Sequence, residues 1–350
     1  MRIASISPET PRPGSAAEMH LQQIADGLER EGHHVTRLWC GPGTGPRLLQ
    51  LLLFQLRTVG RLRDFDLLYC RWHPLGFVQY GAARLLRIPY VLEVNGNVDE
   101  LAVAYPRVSS CLGLLRRTTS WAFRGAAHVV AVSPGLADWA RDTTRHRVPV
   151  TWLPNGAPEE LAGLQRPPAH PPYAAFIGEL AGWQGLDTLL AARRSPSWPV
   201  GVRLLVVGSG KEVDLVEEAA REGLVEHLGR LPHAAAREVM AAATVTISPQ
   251  TARLARNRLG VTPLKVAESL MLGVPVIASR LPGQADIVQA SPGGKVVTPD
   301  SPDELARAVA SAITDGPDRG QLTDYARKSV SWTSTAQRTS AICASVVAPL

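Results

Sequence analysis

The chain has 350 residues, 45% hydrophobic content and a formal net charge of +6. At about 150 residues per domain this suggests two domains, and no run reaches the roughly 18 apolar residues of a membrane span. "MRIASISPETP" is too short an apolar run for a signal peptide, so a cytoplasmic protein is expected, and Cys40, Cys70, Cys111 and Cys343 lack the C-x-x-C spacing of a zinc site or a disulfide framework.

From the N-terminus, "RIASIS" reads as a buried strand. "SAAEMHLQQIADGLEREG" has helical periodicity, with Met19, Ile24 and Leu28 on one face and Gly32 as the residue after the helix. Gly14 and Ser15 lie just before it, where a backbone can approach a phosphate at a helix N-terminus; an ordinary turn is the competing reading. "HHVTRLWC" is a second strand. "RLLQLLLFQLRTVGRLR" is a basic amphipathic helix in which Arg47, Arg57, Arg61 and Arg63 flank leucines. It packs one face on a sheet or rests on a membrane surface. "DLLYCRW", "YVLEVNG" and "HVVAVSP" are further strands, and strands separated by helices argue for a parallel, doubly wound sheet. The basic surplus lies in residues 1–155, with 18 Lys+Arg against 12 Asp+Glu; residues 156–350 balance at 19 each. That asymmetry fits an acidic ligand or membrane surface, or an Arg-rich coding bias.

"APEELAGLQRPPAHPPY" carries five prolines and has linker composition. Alternation restarts with "AAFIGEL", "VRLLVVGSG", "TVTISPQ", "VPVIAS" and "GGKVVTP" as strands. "SPDELARAVASAITDG" reads as a helix capped by Ser301, with Pro302 first and Glu304 closing a capping box. The expected domains are 1–157, a linker 158–172, and 173–332, with a final crossover helix at 333–350 returning to the first. "VVGSGKEV" supplies Gly208 and Gly210, but Val213 stands where a dinucleotide fingerprint needs its third glycine, and no P-loop motif exists.

"GVTPLKVAESLMLGVPVIAS" has anion-site signals. Thr262 can cap the helix, Pro263 fits its first turn, and Lys265 is one of four lysines beside 33 arginines. Helix amides with Lys265 suit a diphosphate, and Glu268 suits vicinal ribose hydroxyls. A capped surface helix with a Lys–Glu pair is the alternative.

Together these segments resemble the retaining GT-B glycosyltransferases of family four. The resemblance spans nearly the whole chain. It rests on "GSAAEMHLQQIADGLEREGHHVT", "VTWLPNGAPEE", "FIGELAGWQGLDTLLAA", "TPLKVAESLMLGVPVIASRLPG" and "SWTSTAQR". It implies an α/β GT-B fold: two Rossmann-like doubly wound domains facing a cleft, with the donor nucleotide sugar in the C-terminal domain and the acceptor in the N-terminal one. It implies metal-independent transfer to an acceptor hydroxyl with retention, and no cofactor beyond the donor. It extends the donor-binding set to Gly178, Gln184, Leu231 and Leu264 beside Gly14, Ser15, Lys265 and Glu268, and assigns catalytic positions to Asn95 and Lys265. The chain departs from the family pattern at four positions. The first Glu of the E-x7-E motif falls at Gly260, the usual basic pair falls on Glu179 and Gln184, and the common His falls on Asn95. Arg253, Arg256 and Arg258 in "QTARLARNRLG" are the expected replacement cations. A GT-B nucleotide-sugar epimerase and a non-catalytic nucleotide-sugar-binding protein are the competing functions.

Overall fold

The computed structural model describes residues 1–9, 15–41, 46–98, 110–260 and 262–347, with the side chain of Arg256 excepted. The chain divides into two compact units: Met1–Pro154 with Thr335–Leu350, and Asn155–Ser334.

In the first unit, β1 (Arg2–Ser7), β2 (His34–Trp39), β3 (Leu67–Arg71), β4 (Tyr90–Val94), β5 (His128–Ala131) and β6 (Val150–Trp152) form a parallel sheet in the order β2-β1-β3-β4-β5-β6. The central strands β3 and β4 are buried at every position. Helices cover both faces of such a sheet, so its inner strands read as near-continuous apolar runs. The helices are α1 (Ala16–Arg30), α2 (Arg47–Val59), α3 (Phe77–Leu86), α4 (Leu112–Gly125) and α5 (Pro134–Thr144). Right-handed crossovers put α1, which leads outward to β2, on one face and α2 to α5 on the other. The path reverses between β1 and β3, which makes their carboxyl ends the switch point of this sheet.

In the second unit, β7 (Tyr173–Ile177), β8 (Arg203–Val207), β9 (Glu226–His227), β10 (Val245–Ser248), β11 (Val276–Ser279) and β12 (Lys295–Val297) form a parallel sheet in the order β12-β11-β10-β7-β8-β9. The helices are α6 (Leu186–Arg194), α7 (Val213–Arg221), α8 (His233–Ala241), α9 (Ala255–Arg258), α10 (Leu264–Met271), α11 (Gln284–Ala290), α12 (Pro302–Thr314) and α13 (Arg319–Ser329). Phe176, Leu189, Val206, Ile247 and Val309 belong to one core between sheet and helices. The switch point lies between β7 and β10. There the loops after these strands touch: Gly185 has φ +70°, and a Cβ at this position would collide with the carbonyl oxygen of Pro249. α14 (Trp332–Val347) starts in the second unit and ends in the first, where Ala336 occupies the space beside Gly27 of α1.

Several local expectations change. β6 and β9 have only three and two residues and no apolar run to announce them. The Pro-rich segment belongs to the second unit: Glu159–Leu164 is a 3-10 helix with Leu161 buried, and Gln165 Nε2 donates to Thr323 Oγ1 at 2.5 Å. Ser301 makes no side-chain cap, and Glu304 accepts instead from the Thr298 amide at 3.0 Å, outside the helix. Pro263, not Thr262, occupies the cap position of α10, and Thr262 is buried.

Candidate functional site

The second unit's site is built at the β7/β10 switch point, where ligands of such sheets bind. Asn257, fully buried, donates from Nδ2 to the carbonyls of Trp183 and Thr251, each at 2.8 Å. This ties the loop after β10 to the turn after β7. Lys265 enters from the first turn of α10. Its Nζ donates to Gln184 Oε1 at 3.0 Å and sits 3.9 Å above the centre of the Phe176 ring. Loss of hydration pushes its pKa down to about 7. A fall of that size from 10.5 corresponds to on the order of 5 kcal/mol. The attraction of a ring for a desolvated cation, about 2 kcal/mol, offsets only part of that. Gly178 lies beside this ammonium: a Cβ there would stand 3.2 Å from Nζ.

The amides of Leu264 and Lys265 head α10 and have no carbonyl one turn back within the helix. One turn further, Glu268 Oε1 accepts from Arg237 Nη2 at 2.6 Å and Nε at 3.2 Å. Arg237 comes from α8, 31 residues earlier, and no local pattern announces it. Gly260 cannot be replaced by the family's glutamate on this backbone. Its φ is +78°, and a Cβ would run into the carbonyl oxygen of Pro282.

The expected replacement cations are partly committed elsewhere. Arg253 pairs with Asp187 at 2.5 Å and with Asp300 at 3.3 Å. Arg258 Nε donates to the Ala252 carbonyl at 3.1 Å. Arg256 lies outside the described side chains. Glu179 is exposed, Gln184 is buried against Lys265, and Leu231 is half-buried in the segment after β9. A second cation at Gln184 would face the Lys265 ammonium directly, so a neutral amide with its carbonyl turned to Lys265 is the compatible choice.

The first unit has a second polar centre at its own switch point. Glu93, on β4, is buried. Its Oε2 accepts from Tyr69 at 2.7 Å and lies 2.8 Å from His20 Nε2. Its Oε1 accepts from Asn95 Nδ2 at 2.6 Å and from Arg71 Nη1 at 3.4 Å. Arg71 also donates from Nε to Glu9 at 2.9 Å. Burial would raise the Glu93 pKa, but His20, then Arg71 and the Tyr69 hydroxyl, hold it at about 2. A carboxylate only accepts, so Asn95 must turn its NH2 inward and its carbonyl away from Glu93. The sequence singles out Asn95 but not the cluster behind it. The signal was a charged residue inside each of two otherwise apolar strands, Arg71 in "LLYCR" and Glu93 in "YVLEV". Ser15 Oγ accepts from the Glu18 amide at 3.2 Å as the cap of α1. Gly14 lies outside the described residues.

A family model for glycosyl transferases group 1 matches residues 160–329, and one for a glycosyl transferase 4-like domain matches residues 6–156. The chain belongs to the group 1 glycosyltransferases, family four. It is 22% identical, over 97% of each chain, to an uncharacterized glycosyltransferase of Methanocaldococcus jannaschii. Among solved structures it is similar to Anabaena HepE in complex with UDP, at 20% identity over 99% of this chain and 100% of that one, with TM-score 0.73. The same protein in complex with UDP-glucose gives 19% identity, 99% and 100% coverage and TM-score 0.70. Sucrose-phosphate synthase of Thermosynechococcus elongatus gives 18%, 99% and 98%, and 0.73. These likenesses establish the GT-B fold class.

Two outcomes follow for stability. Lys265 has a folded pKa below its unfolded value of 10.5. The native state is therefore penalised below pH 7 and relieved as pH rises toward 10.5. Lys265→Met should raise the melting temperature most at pH 6, and the gain should shrink steadily toward pH 10. A gain independent of pH would contradict the buried-amine account. Glu93 shifts the other way, from 4.5 to about 2, so its stabilisation is present above pH 4.5 and is lost as pH falls toward 2. Denaturant titrations should show Glu93→Gln costing about 3 kcal/mol or more at pH 7, as for breaking a buried pair, with the gap closing between pH 4.5 and 2.

Proposed function

We propose that this protein transfers a hexosyl group from a nucleoside-diphosphate sugar to an acceptor hydroxyl, with retention of anomeric configuration and without a metal ion, in the cytoplasm. The observation that carries this reading is the Lys265 ammonium at the β7/β10 switch point, held by Gln184 and Phe176 at the head of α10. The nucleotides in the HepE complexes support the donor class. In this reading the donor diphosphate lies against the α10 amides, and Lys265 becomes fully charged in its presence. The ribose hydroxyls bind Glu268, which Arg237 already orients. Gly178, Gln184, Leu231 and Leu264 complete the pocket. As the glycosidic bond breaks, charge grows on the leaving diphosphate, and fixed donors there stabilise the transition state more than the ground state. The loop arginines supply a second charge on donor binding, and Arg253 joins only by leaving Asp187 and Asp300.

The acceptor binds the first unit, with Asn95 offering its carbonyl to a substrate hydroxyl. Peripheral membrane contact through the Arg47–Arg63 segment, of which Arg47–Val59 is helical and Leu62–Asp64 a separate 3-10 turn, would favour a lipid-linked acceptor over a soluble metabolite. Among the described residues no group of three or more His, Cys, Asp or Glu side chains could hold a metal, and no helix is long and apolar enough to cross a membrane.

Donor turnover tests this. UDP-, GDP- and dTDP-hexoses are incubated with a cell extract as acceptor source. Release of nucleoside diphosphate from at least one donor is expected, unchanged by EDTA. Binding without turnover would favour a non-catalytic nucleotide-sugar protein, interconversion of donor sugars an epimerase, and loss of activity with EDTA restored by Mg²⁺ would contradict the Lys265 account. Glu268→Ala should weaken donor affinity in calorimetry by about 10- to 100-fold, the worth of a charged hydrogen-bond acceptor. Unchanged affinity would remove Glu268 from the site.

A further inference from the structure

The segment after β10 holds buried polar atoms that nothing satisfies. Gln250 follows the strand by two residues and has no exposed surface. Neither Nε2 nor Oε1 of its side chain has a hydrogen-bond partner among the described residues. Asn257, seven residues on, is equally buried. Its Nδ2 is committed to the carbonyls of Trp183 and Thr251, which leaves Oδ1 as an acceptor, and that oxygen also has no partner among the described residues. An amide buried without hydrogen bonds destabilises the free protein. Native chains ordinarily satisfy such a group. Here two stand in one loop, close to the Lys265 centre. Pro249 and Thr251, on either side of Gln250, both stand against Gly185, and Gly185 follows Gln184, the partner of Lys265.

The order of groups along α10 says what arrives there. In the sugar-transfer reading the diphosphate lies at the head of α10, and the ribose lies one turn into the helix at Glu268. The transferred sugar is attached at the phosphate distal to the ribose, so it leaves the diphosphate on the side of the segment that precedes α10. Gln250 and Asn257 belong to that segment. Sugar hydroxyls match the unpaired atoms. A hydroxyl donates and accepts, the Gln250 amide offers two N–H groups and a carbonyl, and Asn257 Oδ1 needs a donor. Phosphate oxygens only accept and would leave both carbonyl oxygens unpaired. Gln250 has no accessible surface in the free protein, so it reaches a ligand by turning about its side-chain bonds or with a shift of its loop. Arg253, in the same loop, is tied to Asp187 and Asp300, and donor binding that recruits it moves this segment.

We propose that Gln250 is a specificity-determining residue whose side-chain amide, unpaired in the free protein, hydrogen-bonds hydroxyls of the transferred hexosyl group. This rests on the sugar-transfer reading and adds to it the group that recognises the sugar itself.

The test is calorimetry on wild type and Gln250→Met, a substitution of similar length without the polar atoms. The ligands are UDP, GDP and dTDP, each beside its hexose ester, and wild type selects the pair that binds. For that pair, Gln250→Met should weaken the nucleotide sugar by about tenfold or more, the usual effect of leaving a buried partner unpaired, and should leave the nucleoside diphosphate unchanged. Unchanged diphosphate affinity also shows that the variant is folded. The variant alone should melt at or above the wild-type temperature, because an unsatisfied amide has left the interior. Equal affinity of wild type and variant for the nucleotide sugar would overturn the inference and leave the sugar-transfer reading standing. Equal weakening of both ligands would assign Gln250 to the nucleotide and overturn it too. A variant that melts well below wild type with both affinities unchanged would make the amide a structural group satisfied by a buried water, again against the inference. Wild type that binds none of these ligands would remove the sugar-transfer reading, and this inference with it.

Discussion

The placement of the half-buried Lys265 side chain, over the Phe176 ring and against the Gln184 carbonyl, is the constraint on which the second unit's site depends. An ammonium on a flexible side chain normally reaches solvent. Here it is folded over the Phe176 ring and against the Gln184 carbonyl, and its pKa falls to about 7. Three features of the fold meet at that point. The sheet order places the β7 and β10 loops together, Gly185 lets them touch, and the first turn of α10 delivers the side chain. A desolvated amine close to neutrality responds strongly to an arriving dianion, because the same low polarity that penalises the isolated charge strengthens its attraction to a partner.

The departures from the family pattern become coherent around this amine. Gln184 replaces a cation that would oppose Lys265 at close range. Gly260 replaces a glutamate that the local backbone excludes, since its φ is positive and Pro282 fills the space. Glu268 remains, and Arg237 donates to its carboxylate from α8. In the proposed reaction, one cation whose charge depends on the ligand does much of the work that relatives share among several.

The alternation of apolar strands and helices was legible because strands buried on both faces carry near-continuous apolar runs, as in β7 and, apart from one charged residue each, in β3 and β4. β6 and β9 are too short to produce such a run. Lys265 stood out in the sequence because lysine is rare in this chain. Its partners did not, because Gln184 and Phe176 lie more than 80 residues away and have ordinary local roles. Arg253 resembled a free cation in the sequence, but Asp187 and Asp300 from distant segments neutralise it. The leucines of α2, of which Leu48 and Leu56 are exposed, show why periodicity alone cannot orient a helix. The pattern gives the apolar stripe, but only the packed structure gives the side to which it turns.

The most direct measurement is the titration of Lys265 itself. With four lysines in the chain, isotope-labelled lysine gives a spectrum that a Lys265→Met comparison assigns. In the free protein its side-chain resonances should titrate near pH 7, and with saturating UDP the midpoint should move upward by a pH unit or more, since a bound dianion favours the charged form. A midpoint near 10.5 in the free protein, or one that UDP leaves in place, would contradict the account.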